Sequence, residues 1–218
     1  SVFLRSDNAV FSPRVQFAAM ATLRAAKQAL RKEVKKRLAS LSEEEKLRQS
    51  QIVSQKLFQH PRYKSSRRVA VFLSMADEVC TDAVVRAVLG SGKACFIPRY
   101  LAGGNHMDML RLKSLEDLAS LPITSWNIRQ PADSDTEREE ALSTGGLDLI
   151  LMPGLAFNKA GNRLGRGRGF YDTYLQRCMT HPGGRPYTIA LAFKEQLCEE
   201  VPTDDGDMLV DEVLHEDE

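Results

Sequence analysis

Leu149-Ile150-Leu151-Met152-Pro153 and, a few residues on, Gly161-Asn162-Arg163-Leu164-Gly165-Arg166-Gly167-Arg168-Gly169-Phe170-Tyr171-Asp172 together decide how the chain is read. The first part is a short apolar run of strand-forming residues, which reads as a buried strand. It leaves through Pro153-Gly154 into a basic, glycine-rich loop that feeds an amphipathic segment. A strand, such a loop and a helix in succession form a phosphate-binding arrangement. Glycines let the backbone approach a ligand, amides at the helix start point at an anion, and arginines fork onto phosphate oxygens. Asp172 falls just inside the helix, where a carboxylate either caps amides or holds a metal beside the phosphates.

Working outward, the same pattern of buried strands alternating with helices recurs. Val69–Leu73 is almost wholly apolar, as suits a parallel strand covered on both faces, and ends in Ser74, Met75, Asp77 and Glu78. Ala94–Ile97 is followed by Arg99 and Tyr100, and Tyr187–Phe193 by Lys194-Glu195-Gln196. Asn105–Leu112 alternates weakly, as an edge strand would. Helices are expected over Ala21–Ala39, from the Ser42-Glu43-Glu44-Glu45 capping box towards His60, over Thr81–Leu89, briefly over Ser114–Ala119, and from the central loop to about Cys178. The fold class is α/β with a mostly parallel sheet, in one domain over residues 20–218. Residues 1–19 lack periodicity and read as a disordered extension ahead of Met20, with an organellar presequence as the weaker alternative.

The composition bounds the function. The chain has 218 residues, 43% of them hydrophobic, enough for a substantial core. Its 30 basic and 29 acidic side chains nearly cancel, so no overall field draws it to nucleic acid or an anionic membrane, and any basic site is local. No apolar stretch approaches the length of a membrane span. Cys80, Cys95, Cys178 and Cys198 are too scattered for a zinc set, and a reducing compartment fits them best.

Several residues admit two readings. Lys27 and Arg31 lie one turn apart, either on a solvated helix face or aimed at a phosphate chain held elsewhere. Glu78 stands at a strand end, where it either reads a substrate or closes a turn. Trp126, the only tryptophan, either plugs the core or offers a stacking face to a flat ring. The acidic tail around Asp204, Asp205, Asp207 and Asp211 reads as solvent-facing, with one or two carboxylates available to a metal. The loop itself fits neither G-x-x-x-x-G-K-[ST] nor G-x-G-x-x-G. Phosphate binding, an RNA-binding arginine-glycine element and an inert surface turn all remain open.

Gly161 to Asp172, preceded by Met152-Pro153-Gly154, closely resembles the signature of the 5-formyltetrahydrofolate cyclo-ligase family. Phe72-Leu73-Ser74-Met75, Phe96-Ile97-Pro98-Arg99-Tyr100, Asn105-His106-Met107-Asp108-Met109 and Thr124-Ser125-Trp126-Asn127-Ile128 are similar to its animal members in order and spacing, over about Met20 to Leu214. The resemblance implies a three-layer α/β/α sandwich. It also implies ring closure of 5-formyltetrahydrofolate to 5,10-methenyltetrahydrofolate, driven by ATP and Mg²⁺ through a phosphorylated formyl oxygen.

Carried over, ATP is contacted by Lys27, Arg31, Arg163, Leu164, Gly165, Arg166, Gly167, Arg168, Gly169, Phe170 and Tyr171. Folate is contacted by Leu73, Glu78, Tyr100 and Trp126, together with Arg166 to Phe170. Asp172 and Asp207 match magnesium ligands, and Arg166, Arg168 and Tyr171 are the catalytic candidates. Phe170 stands where many members have tyrosine, and Arg168 where they vary between lysine and small residues. The expected protein is cytoplasmic and monomeric, with small-molecule substrates and neither nucleic acid nor membrane as partner.

Overall fold

Ser12 opens the first helix by accepting a hydrogen bond from the Val15 amide, and Pro13, with no N–H to leave unpaired, follows it. In this computed structural model, which describes residues 12–217, that helix is α1, Pro13–Ala39. It starts well before the apolar stripe does, because residues 12–22 are exposed on every side and no packing face marks them. Residues 13–19 of the expected extension are thus helical, and residues 1–11 lie outside the described residues. Helix α2, Glu43–Gln59, is capped as its sequence predicts, with the Ser42 hydroxyl accepting from the Glu45 amide at 3.1 Å. The reciprocal half of the capping box is not made: Glu45 pairs with Arg48 and Gln49 instead. Pro61 starts a further short helix, α3, Pro61–Ser65.

The next elements are β1 (Arg68–Ala70), α4 (Asp82–Gly90), β2 (Ala94–Tyr100), β3 (Met107–Leu112), α5 (Leu115–Ser120) and β4 (Leu149–Met152). They are followed by β5 (Ala156–Phe157), β6 (Arg163–Leu164), α6 (Phe170–Met179), β7 (Tyr187–Leu191) and β8 (Glu212–Leu214). Strand β1 is shorter than its apolar run. Past Val71 the polar groups of the backbone leave the ladder, and the Phe72 carbonyl accepts from the Thr81 hydroxyl at 2.7 Å. Strand β8 was hidden in the acidic tail, where three residues offer too little pattern to read.

Six strands form one sheet in the order β3-β2-β1-β4-β7-β8, with only β3 antiparallel, and β5 and β6 make a separate hairpin. Alternate residues serve opposite faces, as the pleat requires. Val69, Cys95, Ile97, Leu149, Leu151, Ile189 and Leu191 pack with Val34 and Leu38 of α1, Val53 and Leu57 of α2, and Val84, Val85 and Val88 of α4. Ala70, Phe96, Ile150, Met152 and Ala190 face the other way, onto Tyr171, Tyr174, Leu175 and Cys178 of α6. The result is the three-layer α/β/α sandwich. Cys95 packs as a small hydrophobe within it, and burial pushes its thiol up to about 12.

The topology locates the binding crevice. From β1 the chain crosses through α4 to β2 on one side, while β4, β7 and β8 build outward on the other. The order therefore reverses between β1 and β4, and crevices in such sheets open at the carboxyl ends of the strands flanking that point. Here those ends are Phe72–Leu73 and Pro153–Gly154.

Candidate active site

A cavity of about 500 Å³ opens at this switch point. Its walls include Phe72, Leu73, Met75 and Glu78 after β1, Pro153 and Gly154 after β4, and Tyr100 at the end of β2. The whole run Arg163 to Asp172 lines it, as do Lys27 and Arg31 from α1, Trp126 and Ile128 from the loop after α5, and Asp204 and Asp207 from the tail. All the site residues expected from the sequence therefore face one space.

The loop is held in place by elements on either side. Gly161 adopts φ 85°, and a Cβ there would lie 2.3 Å from the Val210 carbonyl oxygen, so only glycine lets the tail cross so closely. The crossing is fastened by the Val210 amide donating to the Gly161 carbonyl at 2.9 Å. Arg31 Nε donates to the Gly165 carbonyl at 2.9 Å and ties the loop to α1. Gly169, at φ 73°, ends the loop as the N-cap of α6 and offers no side chain to cap it. The first amides of α6 are left without that partner at the cavity wall, which is the anion-binding geometry of a helix start.

Each loop arginine has an internal partner. Arg163 Nε donates to the Pro153 carbonyl at 2.6 Å, and its guanidinium lies 5.2 Å from the Tyr171 ring centroid. Arg168 donates to the Gly104 carbonyl at 3.3 Å and lies over Phe170. Arg166 Nη2 reaches Asp77 at 2.6 Å and Glu78 at 3.2 Å. The Arg-Gly stretch is an ordered wall between β6 and α6, unlike the repeated, low-complexity tails that bind RNA through such elements.

One end of the cavity is aromatic. Tyr100 meets Phe170 with ring centroids 4.9 Å apart, meets Trp126 edge-on at 6.3 Å, and has its hydroxyl 3.3 Å from that of Tyr171. Burial pushes the Tyr100 hydroxyl up to about 12, so both groups stay protonated at neutral pH. Trp126 is 46% exposed, so it is a rim residue and not a core plug. Glu78, on the wall of the same cavity, has a side chain only 8% exposed, with Oε2 accepting from the Met75 amide at 2.9 Å. Burial raises the Glu78 carboxyl above the usual range; the Met75 amide and Arg166 oppose that shift without cancelling it.

The other end is carboxylate-rich. Lys27 Nζ lies 2.7 Å from Asp204 and 2.6 Å from Asp207, and the Asp204 amide also donates to Asp207 at 2.8 Å. Asp172 neither caps its own helix nor stands alone: its Oδ1 accepts from the Met208 amide at 2.9 Å, pinning the tail. Burial raises the Asp172 carboxyl, and the Asp207 charge adds to that. Among the described residues no group of three or more histidine, cysteine, aspartate or glutamate side chains is placed to hold a metal. Asp172 and Asp207 supply two carboxylates beside the glycine-arginine loop, a donor set that suits Mg²⁺, an ion that keeps waters and takes few ligands from protein.

Sequence reasoning passed over Phe72, Met75, Ile128, Pro153, Gly154 and Asp204 as lining residues, and gave Asp77 no role. The available signal for Asp77 and Asp204 was their closeness in sequence to Glu78 and Asp207. Their cations lie 89 and 177 residues away, beyond any local pattern.

Comparison with known proteins fits this geometry. Residues 23–216 match the model of the 5-formyltetrahydrofolate cyclo-ligase family. The mouse 5-formyltetrahydrofolate cyclo-ligase is 58% identical over 91% of this chain and 98% of its own length. A probable 5-formyltetrahydrofolate cyclo-ligase of Caenorhabditis elegans is 36% identical over 91% and 97%. The solved structure of Aquifex aeolicus 5,10-methenyltetrahydrofolate synthetase superposes with a TM-score of 0.71 at 32% identity, covering 88% of this chain and 90% of that one. With its switch-point cavity, glycine-arginine wall and near full-length match, the chain belongs to the 5-formyltetrahydrofolate cyclo-ligase family.

Proposed function

We propose that this protein closes 5-formyltetrahydrofolate to 5,10-methenyltetrahydrofolate at the expense of ATP, with Mg²⁺, releasing ADP and phosphate. The observation that carries the proposal is that a phosphate-type wall and an aromatic wall with a buried carboxylate meet in one cavity, with Arg166 between them.

In this reading ATP lies along Arg163 to Tyr171, with Lys27 and Arg31 facing its phosphates and the amides at the start of α6 supplementing them. Folate lies over Leu73 and Tyr100 under Trp126, with Glu78 accepting from the donor edge of its ring system. The formyl oxygen, a poor leaving group, attacks the γ-phosphorus and ADP departs. N10 then attacks the formyl carbon, the C–O bond breaks, phosphate leaves and the N10 proton is lost. Arg166 and Arg168 stabilise charge on the transferring group, and Tyr171 positions it, so the protein's work is orientation and electrostatics. Asp172 and Asp207 would hold Mg²⁺, whose chemistry there is to neutralise phosphate charge.

The single domain from residue 20 onward acts in the cytoplasm as a monomer on small molecules. No helix among the described residues is long and apolar enough to cross a membrane. The experiment is turnover: protein with Mg²⁺-ATP and 5-formyltetrahydrofolate generates the near-ultraviolet absorbance of the methenyl product, and chelation of Mg²⁺ stops it. Folded protein that binds ATP and yields no product would instead be a binding protein that has lost turnover.

A further inference from the structure

Arg166 has two carboxylate partners, and the reaction described above uses only one. Its Nη2 is 2.6 Å from Asp77 and 3.2 Å from Glu78, while its Nε and Nη1 make no hydrogen bond among the described residues. Glu78 is nearly buried, with Oε2 accepting from the Met75 amide and Oε1 from Arg166, so a ligand that reaches Oε1 shares that oxygen with Arg166. Asp77, 32% exposed, stands outside the cavity wall and competes with no ligand.

We propose that Asp77 is a positioning residue that keeps Arg166 at the junction of the two ends of the cavity while Glu78 accepts from the folate. The proposal rests on the assignment of Glu78 to the folate end. With Asp77 present, Arg166 keeps a counter-charge when Oε1 of Glu78 also accepts from a substrate N–H, and its Nε and Nη1 stay available to a ligand. Without it, Arg166 and Glu78 have only each other, the pair tightens, and an incoming folate must displace a stronger partner. The ATP end depends on the unpaired face of the guanidinium and is affected less.

The test uses the full chain with Asp77→Asn and Asp77→Glu. The first measurement is equilibrium binding of 5-formyltetrahydrofolate without nucleotide, by calorimetry; the second is KM for each substrate in the turnover assay. Asp77→Asn is expected to weaken folate binding and raise its KM about tenfold, the size of a coupled charge pair, and to raise the ATP KM by less than about threefold. Asp77→Glu restores folate binding to within about twofold, because the counter-charge returns.

Folate binding unchanged in Asp77→Asn, both KM values rising together, or no rescue by glutamate would each overturn the proposal. Absence of turnover in the parent protein would remove the proposed reaction, yet the calorimetric comparison would still decide the role of Asp77. If the parent protein does not bind folate at all, both fall.

Discussion

Lys27 and Arg166 face the same cavity, and each bridges two carboxylates, but they keep different amounts of themselves for a ligand. Lys27 has three N–H donors and gives contacts to Asp204 and Asp207, which lie in one turn already wired together by the Asp204 amide. Arg166 has five donors and spends only Nη2 on Asp77 and Glu78. A lysine is a point charge that its partners largely neutralise; an arginine's fork is directional and leaves one face available. Lys27 thus fastens the tail to α1. Arg166 is partnered on one edge and open on the other, as the working contact of the proposed reaction would need to be.

The sharpest way to break this comparison is to remove each cation in turn. In the proposed reaction Arg166→Ala takes away a preorganised donor at the point where charge develops, and turnover should fall by about 100-fold or more, read as methenyl product formed at saturating substrates. Lys27→Ala takes away the anchor and leaves Asp204 and Asp207 repelling the phosphates. Its effect should be smaller and fall on binding, with the ATP KM rising about fivefold to tenfold and turnover at saturation changing less. Equal losses of turnover in the two variants would mean that anchor and working contact are not distinct.

The same contrast explains what was legible in the sequence. The strand, loop and helix from Leu149 to Met179 were readable because every signal is local: an apolar run, glycines, arginines and the start of an amphipathic helix. Strands β2, β4 and β7 were readable as near-continuous apolar runs because both of their faces are covered, with alternate residues divided between the two cores. The pairings that tune the site were not readable. Lys27 finds the tail turn 177 residues away, and β8 is a three-residue strand that exists because β7 offers it a ladder. The start of α1 escaped notice for the opposite reason, since an exposed helix has no packing face to leave a stripe. Trp126 was ambiguous because composition alone cannot separate a rim ring from a buried one, and its 46% exposure decides for the rim.

The smallest expected effect sharpens the comparison at its buried edge. Burial raises the Glu78 carboxyl above its ordinary range even with Arg166 beside it, so the charged form is held at a net cost to folding. The sign follows from proton binding: below the unfolded-state pKa both states carry the proton and the cost is absent. It grows as pH rises through the interval up to the folded-state pKa, where the native state still binds the proton and the unfolded state has lost it. Above that interval the cost is complete and constant. Glu78→Gln should therefore raise the melting temperature at pH 7 and raise it less at pH 4. Thermal melts of both proteins at the two pH values measure the difference. Asp77 remains to hold Arg166 in the variant, so a fall in stability at pH 7 would show instead that the Arg166–Glu78 pair is an anchor like Lys27 and not a contact maintained for a ligand.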